Sequence, residues 1–163
     1  MKSRLEKLFS DESKWNLAII LAGTNDLAFE RDYKKICDAL LEVHQTAWKH
    51  SCYTISMTVP ESDDANENKQ CITRRNSVND YIRSEIGNRN EYPYAFAVFD
   101  LNVKVPYNNF KHNYLTKDDV WSFGDFHFAP QGYQLIGRLL FQDCIKPFLE
   151  SQSKSNISSS AAT

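Results

Sequence analysis

The sequence predicts an α/β fold in which a parallel sheet lies between two layers of helices, and three observations predict it. Helical and strand patterns alternate along the chain. The strand segments are continuous apolar or β-branched runs, as expected of strands covered on both faces. The residues best suited to chemistry fall where those strands end, the edge at which ligands gather in such sheets.

Taken in order, Leu5, Leu8 and Phe9 fall at helical spacing within Lys2 to Phe9, and the polar SDESK stretch ends that helix. Leu17 to Ala22 (LAIILA) is an apolar run that predicts a buried strand, and it stops at Gly23-Thr24-Asn25-Asp26. Between Asp32 and His50, Tyr33, Ile36, Cys37, Leu40, Leu41, Val43, Ala47 and Trp48 mark one face of a helix. Cys52 to Val59 (CYTISMTV) is rich in β-branched residues and ends at Pro60, which predicts a second strand. After the polar loop Glu61 to Lys69, a third helix runs through Ile72, Val78, Tyr81, Ile82 and Ile86 to Gly87. Tyr94 to Leu101 (YAFAVFDL) predicts a third strand, followed by a long loop from Asn102 to Phe128. Pro130 opens the last helix, in the first turn, where its missing N–H costs nothing.

With 163 residues the chain is long enough for one domain, read here as residues 1–150 with a disordered tail over 151–163 that lacks apolar anchors. The net charge is −2 and the acidic and basic residues are interspersed, which argues against a nucleic-acid partner and for a neutral or small polar ligand. No apolar run approaches the roughly 18 residues of a membrane span, and the charged N-terminus MKSRLEKLFSDESKW does not read as a signal peptide. Cys37, Cys52, Cys71 and Cys144 form no CxxC pair and have no histidine at ligand spacing, so no metal site is expected among them. They read as buried thiols in a reducing compartment, and the expected location is the cytoplasm.

Two constellations carry chemistry. In Gly23-Thr24-Asn25-Asp26, an asparagine amide at the end of a buried strand can present a hydrogen-bond donor to the crevice, and Gly23 lets other backbone approach. The plainer reading is that Asn25 or Asp26 caps the next helix. In Gly124-Asp125-Phe126-His127-Phe128-Ala129-Pro130-Gln131-Gly132-Tyr133, His127 precedes an amphipathic helix and has a carboxylate, Asp125, two residues before it. Such a histidine can take a proton from a hydroxyl nucleophile when a carboxylate fixes its tautomer. The plainer reading is a partly buried histidine that satisfies loop backbone. His44, His50 and His112 lack this context and read as surface or packing residues.

A strand ending in Gly-Thr-Asn-Asp, a C-terminal loop histidine leading into a Pro-x-Gly-Tyr helix, and Arg75-x-x-x-Asn79 between them together resemble the SGNH hydrolases, the GDSL-like lipases and esterases. The resemblance spans Leu5 to Phe148. It implies a three-layer, flavodoxin-like sheet and hydrolysis of acyl or acetyl esters through a serine acyl-enzyme, with a small-molecule ester as substrate and no cofactor. It also implies that Asn25 donates to the oxyanion, with Gly23 and Asp26 supporting its turn, and that His127 is the general base.

The sequence departs from that family in two places. The Gly-Asp-Ser turn that supplies the nucleophile, and the block that supplies a glycine N–H to the oxyanion hole, are absent, so a β-α-β segment is expected ahead of Met1. Among the serines, Ser56 falls in a strand, Ser77 and Ser84 on a helix, and Ser122 near the histidine but off any strand-to-helix turn. This chain is therefore expected to be inactive alone, and a catalytically inactive binding or scaffold module is the rival reading. The acid is also displaced: the family's position three before the histidine is Gly124, and Asp125 reaches the imidazole only from an extended loop, with Asp118 and Asp119 as alternatives. Without a preceding strand, Leu17 to Ala22 is expected to form an exposed apolar edge through which the chain self-associates.

Overall fold

The computed structural model describes residues 2–10, 14–30, 32–61, 69–112, 114–122 and 127–160. Its elements are α1 (Lys2–Ser10), β1 (Leu17–Ile20), α2 (Thr24–Phe29), α3 (Tyr33–Lys49), β2 (Tyr53–Met57), α4 (Lys69–Tyr81), β3 (Ala95–Phe99), α5 (Leu101–Lys104), α6 (Lys117–Val120), α7 (Pro130–Leu140) and α8 (Lys146–Ser160). One π-helical segment, Ile82–Ile86, extends α4, and a second, Phe141–Ile145, joins α7 to α8. The three strands form one parallel sheet in the order β1-β2-β3, with β1 and β2 in register from Leu17 opposite Tyr53 to Ile20 opposite Ser56, and β2 and β3 paired from Thr54 opposite Ala95 to Met57 opposite Phe99 with one shift of register between Thr54 and Ile55.

Apolar side chains cover both faces of this sheet, which is why its strands read as continuous runs. On one face Ile55, Met57 and Phe99 pack with Val120, Trp121, Leu135 and Leu140. On the other Val98 of β3, together with Val59 just past β2, packs with Ile36 and Leu40 of α3 and with Val78, Ile82 and Ile86. The predicted α/β sandwich is therefore the observed architecture. β1 is an edge strand, and Ile19 and Leu21 keep 43% and 39% of their surface exposed there.

The two π segments have a common cause in the spacing of buried residues. Gly132, Ile136, Leu140, Cys144 and Phe148 are buried at intervals of four, as are Val78, Ile82 and Ile86. An α-helix repeats every 3.6 residues, so a strict step of four slips by about 40° each time. A wider turn with bonds five residues apart, such as Gly87 N–H to Ile82 O at 2.9 Å, takes up the slip and returns the stripe to the sheet.

Two expectations need correction. The segment 102–128 is not one long loop, because α5 and α6 lie within it; α6 is started by a capping box in which Thr116 Oγ1 accepts from Asp119 N–H and Asp119 accepts from Thr116 N–H. Regular structure also does not stop at Ser151. The backbone is helical to Ser160, with no Gly or Pro after Pro147 to break it, and Ser151 and Ser153 donate their hydroxyls back to Phe148 and Leu149 carbonyls at 2.7 and 3.0 Å. Competing bonds of this kind are tolerated inside a helix when they run to the preceding turn.

The central strand carries hydroxyls, Thr54 and Ser56, on the face that meets α3, and they are matched by a buried histidine. His44, only 2% exposed, sits between them, with Nδ1 3.0 Å from Thr54 Oγ1 and Nε2 3.0 Å from Ser56 Oγ. Trp48 Nε1–H also donates to Thr54 Oγ1 at 2.9 Å. A neutral imidazole donates from one nitrogen and accepts at the other, and hydroxyls complement either tautomer. Burial pushes the His44 pKa down to about 4 from an ordinary 6.5. The unfolded chain therefore binds a proton that the native state refuses between those values, so this contribution is complete above pH 6.5 and is lost as pH falls toward 4. The loss amounts to about 3 kcal/mol at one pKa unit per 1.4 kcal/mol. Urea midpoints at pH 7.5 and 4.5 should fall more steeply in the parent than in His44→Gln, which cannot take up a proton; equal pH slopes would remove His44 as the cause.

Candidate functional site

β1 delivers the Gly-Thr-Asn-Asp turn to the carboxyl edge of the sheet. Gly23 has φ 101°, a left-handed conformation that a side chain rarely adopts, and a Cβ there would lie 3.2 Å from Val59 Cγ2. This close approach lets the chain enter α2 immediately: Leu27 N–H bonds Gly23 O at 3.1 Å. The capping alternative does not hold, since Gly23 is the N-cap residue and no side chain caps it. Asn25 and Asp26 lie in the first turn, where the acid suits the positive end of the helix. Both are exposed, and with Gly23 they line a cleft of about 350 Å³ against Ile36 and Leu40 of α3.

His127 is held by a hairpin. Trp121 and Phe128 form an antiparallel bridge, Ser122 N–H bonds His127 O at 3.0 Å, and Ala129 N–H bonds Val120 O at 2.9 Å. The Trp121 and Phe128 rings are 4.1 Å apart and buried, whereas the imidazole of His127 is exposed. It is thus not the partly buried histidine of the plainer reading. Among the described residues no side-chain hydrogen bond joins His127 to Asn25 or to a carboxylate. Asp125 lies outside the described residues. Of the alternatives, Asp119 is committed to α6, where the Thr116 N–H and hydroxyl hold its carboxyl below the usual range, and Asp118 is exposed.

Arg75 and Asn79 brace the site from below. Asn79 grips the exit of β2 with both ends of its amide, accepting from Val59 N–H at 2.7 Å and donating to Val59 O at 2.9 Å. Arg75, 3% exposed, lies 3.7 Å from Glu61, and burial pulls its pKa down against the opposing pull of that carboxylate. Glu61 in turn accepts the N–H groups of Tyr107 and Asn108 at 2.7 and 2.9 Å. Trp121 Nε1–H then donates to Pro106 O at 3.3 Å, so the series ends on the hairpin that carries His127.

Sequence reasoning missed a second polar cluster at this edge. Asp100, just past β3, takes both Nε and Nη2 of Arg83 at 2.8 and 3.0 Å and the Thr58 hydroxyl at 2.9 Å. Burial raises the Asp100 pKa, but these donors outweigh it and hold the carboxyl below its usual value. A carboxylate so fully occupied ties β2 to β3 and is not free to serve the histidine. Its position at the end of the YAFAVFD run was the available signal.

The four cysteines form no disulfide; Cys37, Cys52 and Cys144 are buried, with burial pushing the first two up to about 11, and Cys71 is half-buried, its sulfur 3.0 Å from Arg74 Nη2. Among the described residues no cluster of three metal-ligating side chains occurs, and no helix is long and apolar enough to cross a membrane. The family model described as GDSL-like Lipase/Acylhydrolase matches residues 2–140. Neither a curated protein nor a solved structure matches the chain.

Proposed function

Because the chain belongs to the GDSL-like lipase/acylhydrolase family, we propose that it carries the oxyanion donor and the general base of a serine hydrolase for acyl or acetyl esters. Asn25 donates its amide to the oxyanion, with Gly23 and Asp26 supporting its turn. His127 moves the proton, and Asp125 orients it. The observation that carries this reading is the exposed Asn25 in a cleft at the carboxyl end of a parallel strand, where an amide can meet a developing negative charge.

No serine among the described residues is placed to act as the nucleophile. Ser56 is buried against His44, Ser77 lies on α4, Ser84 lies on the following π segment, and Ser122 meets His127 through backbone alone; no described serine stands on a strand-to-helix turn. The same observation favours the second reading, a binding module that keeps the fold without the reaction. The 163-residue chain is expected to leave aryl acetate hydrolysis at background and to take no label from a fluorophosphonate. Labelling of a serine within it, or robust hydrolysis that the reagent fails to block, would contradict this account. Joined to a β-α-β segment whose first strand ends in Gly-Asp-Ser, the chain should gain both hydrolysis and label. If it gains neither, the binding-module reading replaces the hydrolase.

A further inference from the structure

A second cavity, of about 260 Å³, opens between His112, Tyr114 and Leu115 on one side and α7 on the other and shares no residue with the cleft beside Asn25. Its wall on α7 is built from Gln131, Gln134 and Arg138, which stand on one helical face at steps of three and four. His112 faces them, and Leu115 and Leu135 supply apolar surface. The opposite wall is anchored, since Phe110 and Leu115 pack against the core on either side of His112 and the rings of Phe110 and His112 are stacked 13° from parallel. Tyr114, 90% exposed, stands at the rim.

The lining has a consistent chemistry. It includes one guanidinium, one imidazole and two amides, and no carboxylate. Arg138 forms no side-chain hydrogen bond or ion pair among the described residues, so its fork of donors is free to take a planar anion in two parallel bonds. The volume is below the roughly 300 Å³ at which drug-sized ligand pockets begin, which limits the occupant to a small molecule. We propose that this pocket binds a small carboxylate with a short apolar chain, the carboxylate on Arg138 and the chain over Leu115 and Leu135. The proposal stands apart from the hydrolase reading, although an acid of this kind is what hydrolysis of an acyl ester releases.

Titration of the 163-residue chain with butyrate, followed by amide and arginine side-chain NMR, tests it. Resonances of Arg138, Leu115 and Gln134 should shift together and saturate, with butyrate binding more tightly than acetate or inorganic phosphate. Arg138→Gln, an exposed substitution that keeps the helix, should weaken butyrate by about tenfold, as expected for loss of a charge-assisted pair, and thermal melting should confirm an intact fold. Absence of saturable shifts overturns the proposal, as does equal binding by Arg138→Gln. Phosphate binding as tightly as butyrate overturns the assigned ligand class.

Discussion

In a catalytically competent form of the protein, His127→Ala is expected to lower kcat for an aryl acetate on the order of a millionfold, the cost typical of losing the base of a serine site. Asn25→Ala is expected to cost about a hundredfold to a thousandfold, because it removes one donor while the proton path remains. The two effects differ in kind as well as in size. A base is needed to make the nucleophile at all, whereas an oxyanion donor only stabilises the charge once formed. Both side chains are exposed and neither makes a side-chain bond among the described residues, so both variants should melt with the parent. Unchanged turnover in His127→Ala would remove it from the mechanism. Equal losses in the two variants would point to a shared structural fault.

Gly132→Ala is expected to give the largest loss of stability of any glycine-to-alanine change among the described residues, about 3 kcal/mol or more, the upper range for overpacking. A Cβ at this position would lie 2.1 Å from the carbonyl oxygen of Val120, 3.0 Å from its carbon and 3.1 Å from Phe128 Cβ. None of these atoms can rotate away. The oxygen is also fixed by its bond from Ala129 N–H, so α7 must shift off the hairpin that carries His127. Gly137→Ala is the matched control: nothing lies within 4 Å of its Cβ. On a helix it should stabilise by about 0.5 to 1 kcal/mol. Urea denaturation of the two variants should therefore move in opposite directions, and a Gly132→Ala protein as stable as the parent would show that the close approach is not a constraint. The contrast explains the glycine of the Pro-x-Gly-Tyr motif as a packing requirement.

The strands and long helices were legible because their signals are local. LAIILA, CYTISMTV and YAFAVFDL each hold a strand, and each strand is shorter than its run because the last residues leave the sheet to build the edge. Leu21 and Ala22, for example, line the cleft beside Asn25. The polar pairings were not legible, because they join residues far apart in sequence. Thr58 meets Asp100 across 42 positions, and Glu61 reaches Tyr107 across 46. His44 did leave a trace: it falls on the buried face with Leu40, Val43 and Ala47, and a histidine on such a stripe demands a polar partner on the opposing strand. The capping box Thr116-x-x-Asp119 is likewise readable within a segment whose composition predicts loop.

The π segment between α7 and α8 amounts to extra chain length held inside a helix. Rewinding Phe141–Ile145 as ordinary α-helix with no change in sequence would release that length, and every residue beyond it would turn by about 100° around the axis. Phe148, whose ring now stands 5.5 Å from that of Tyr53 and 5.1 Å from that of Phe96, would then face away from the strands it covers. Losing the wide turn thus acts at a distance, stripping an aromatic cover from β2 and β3 without touching either strand.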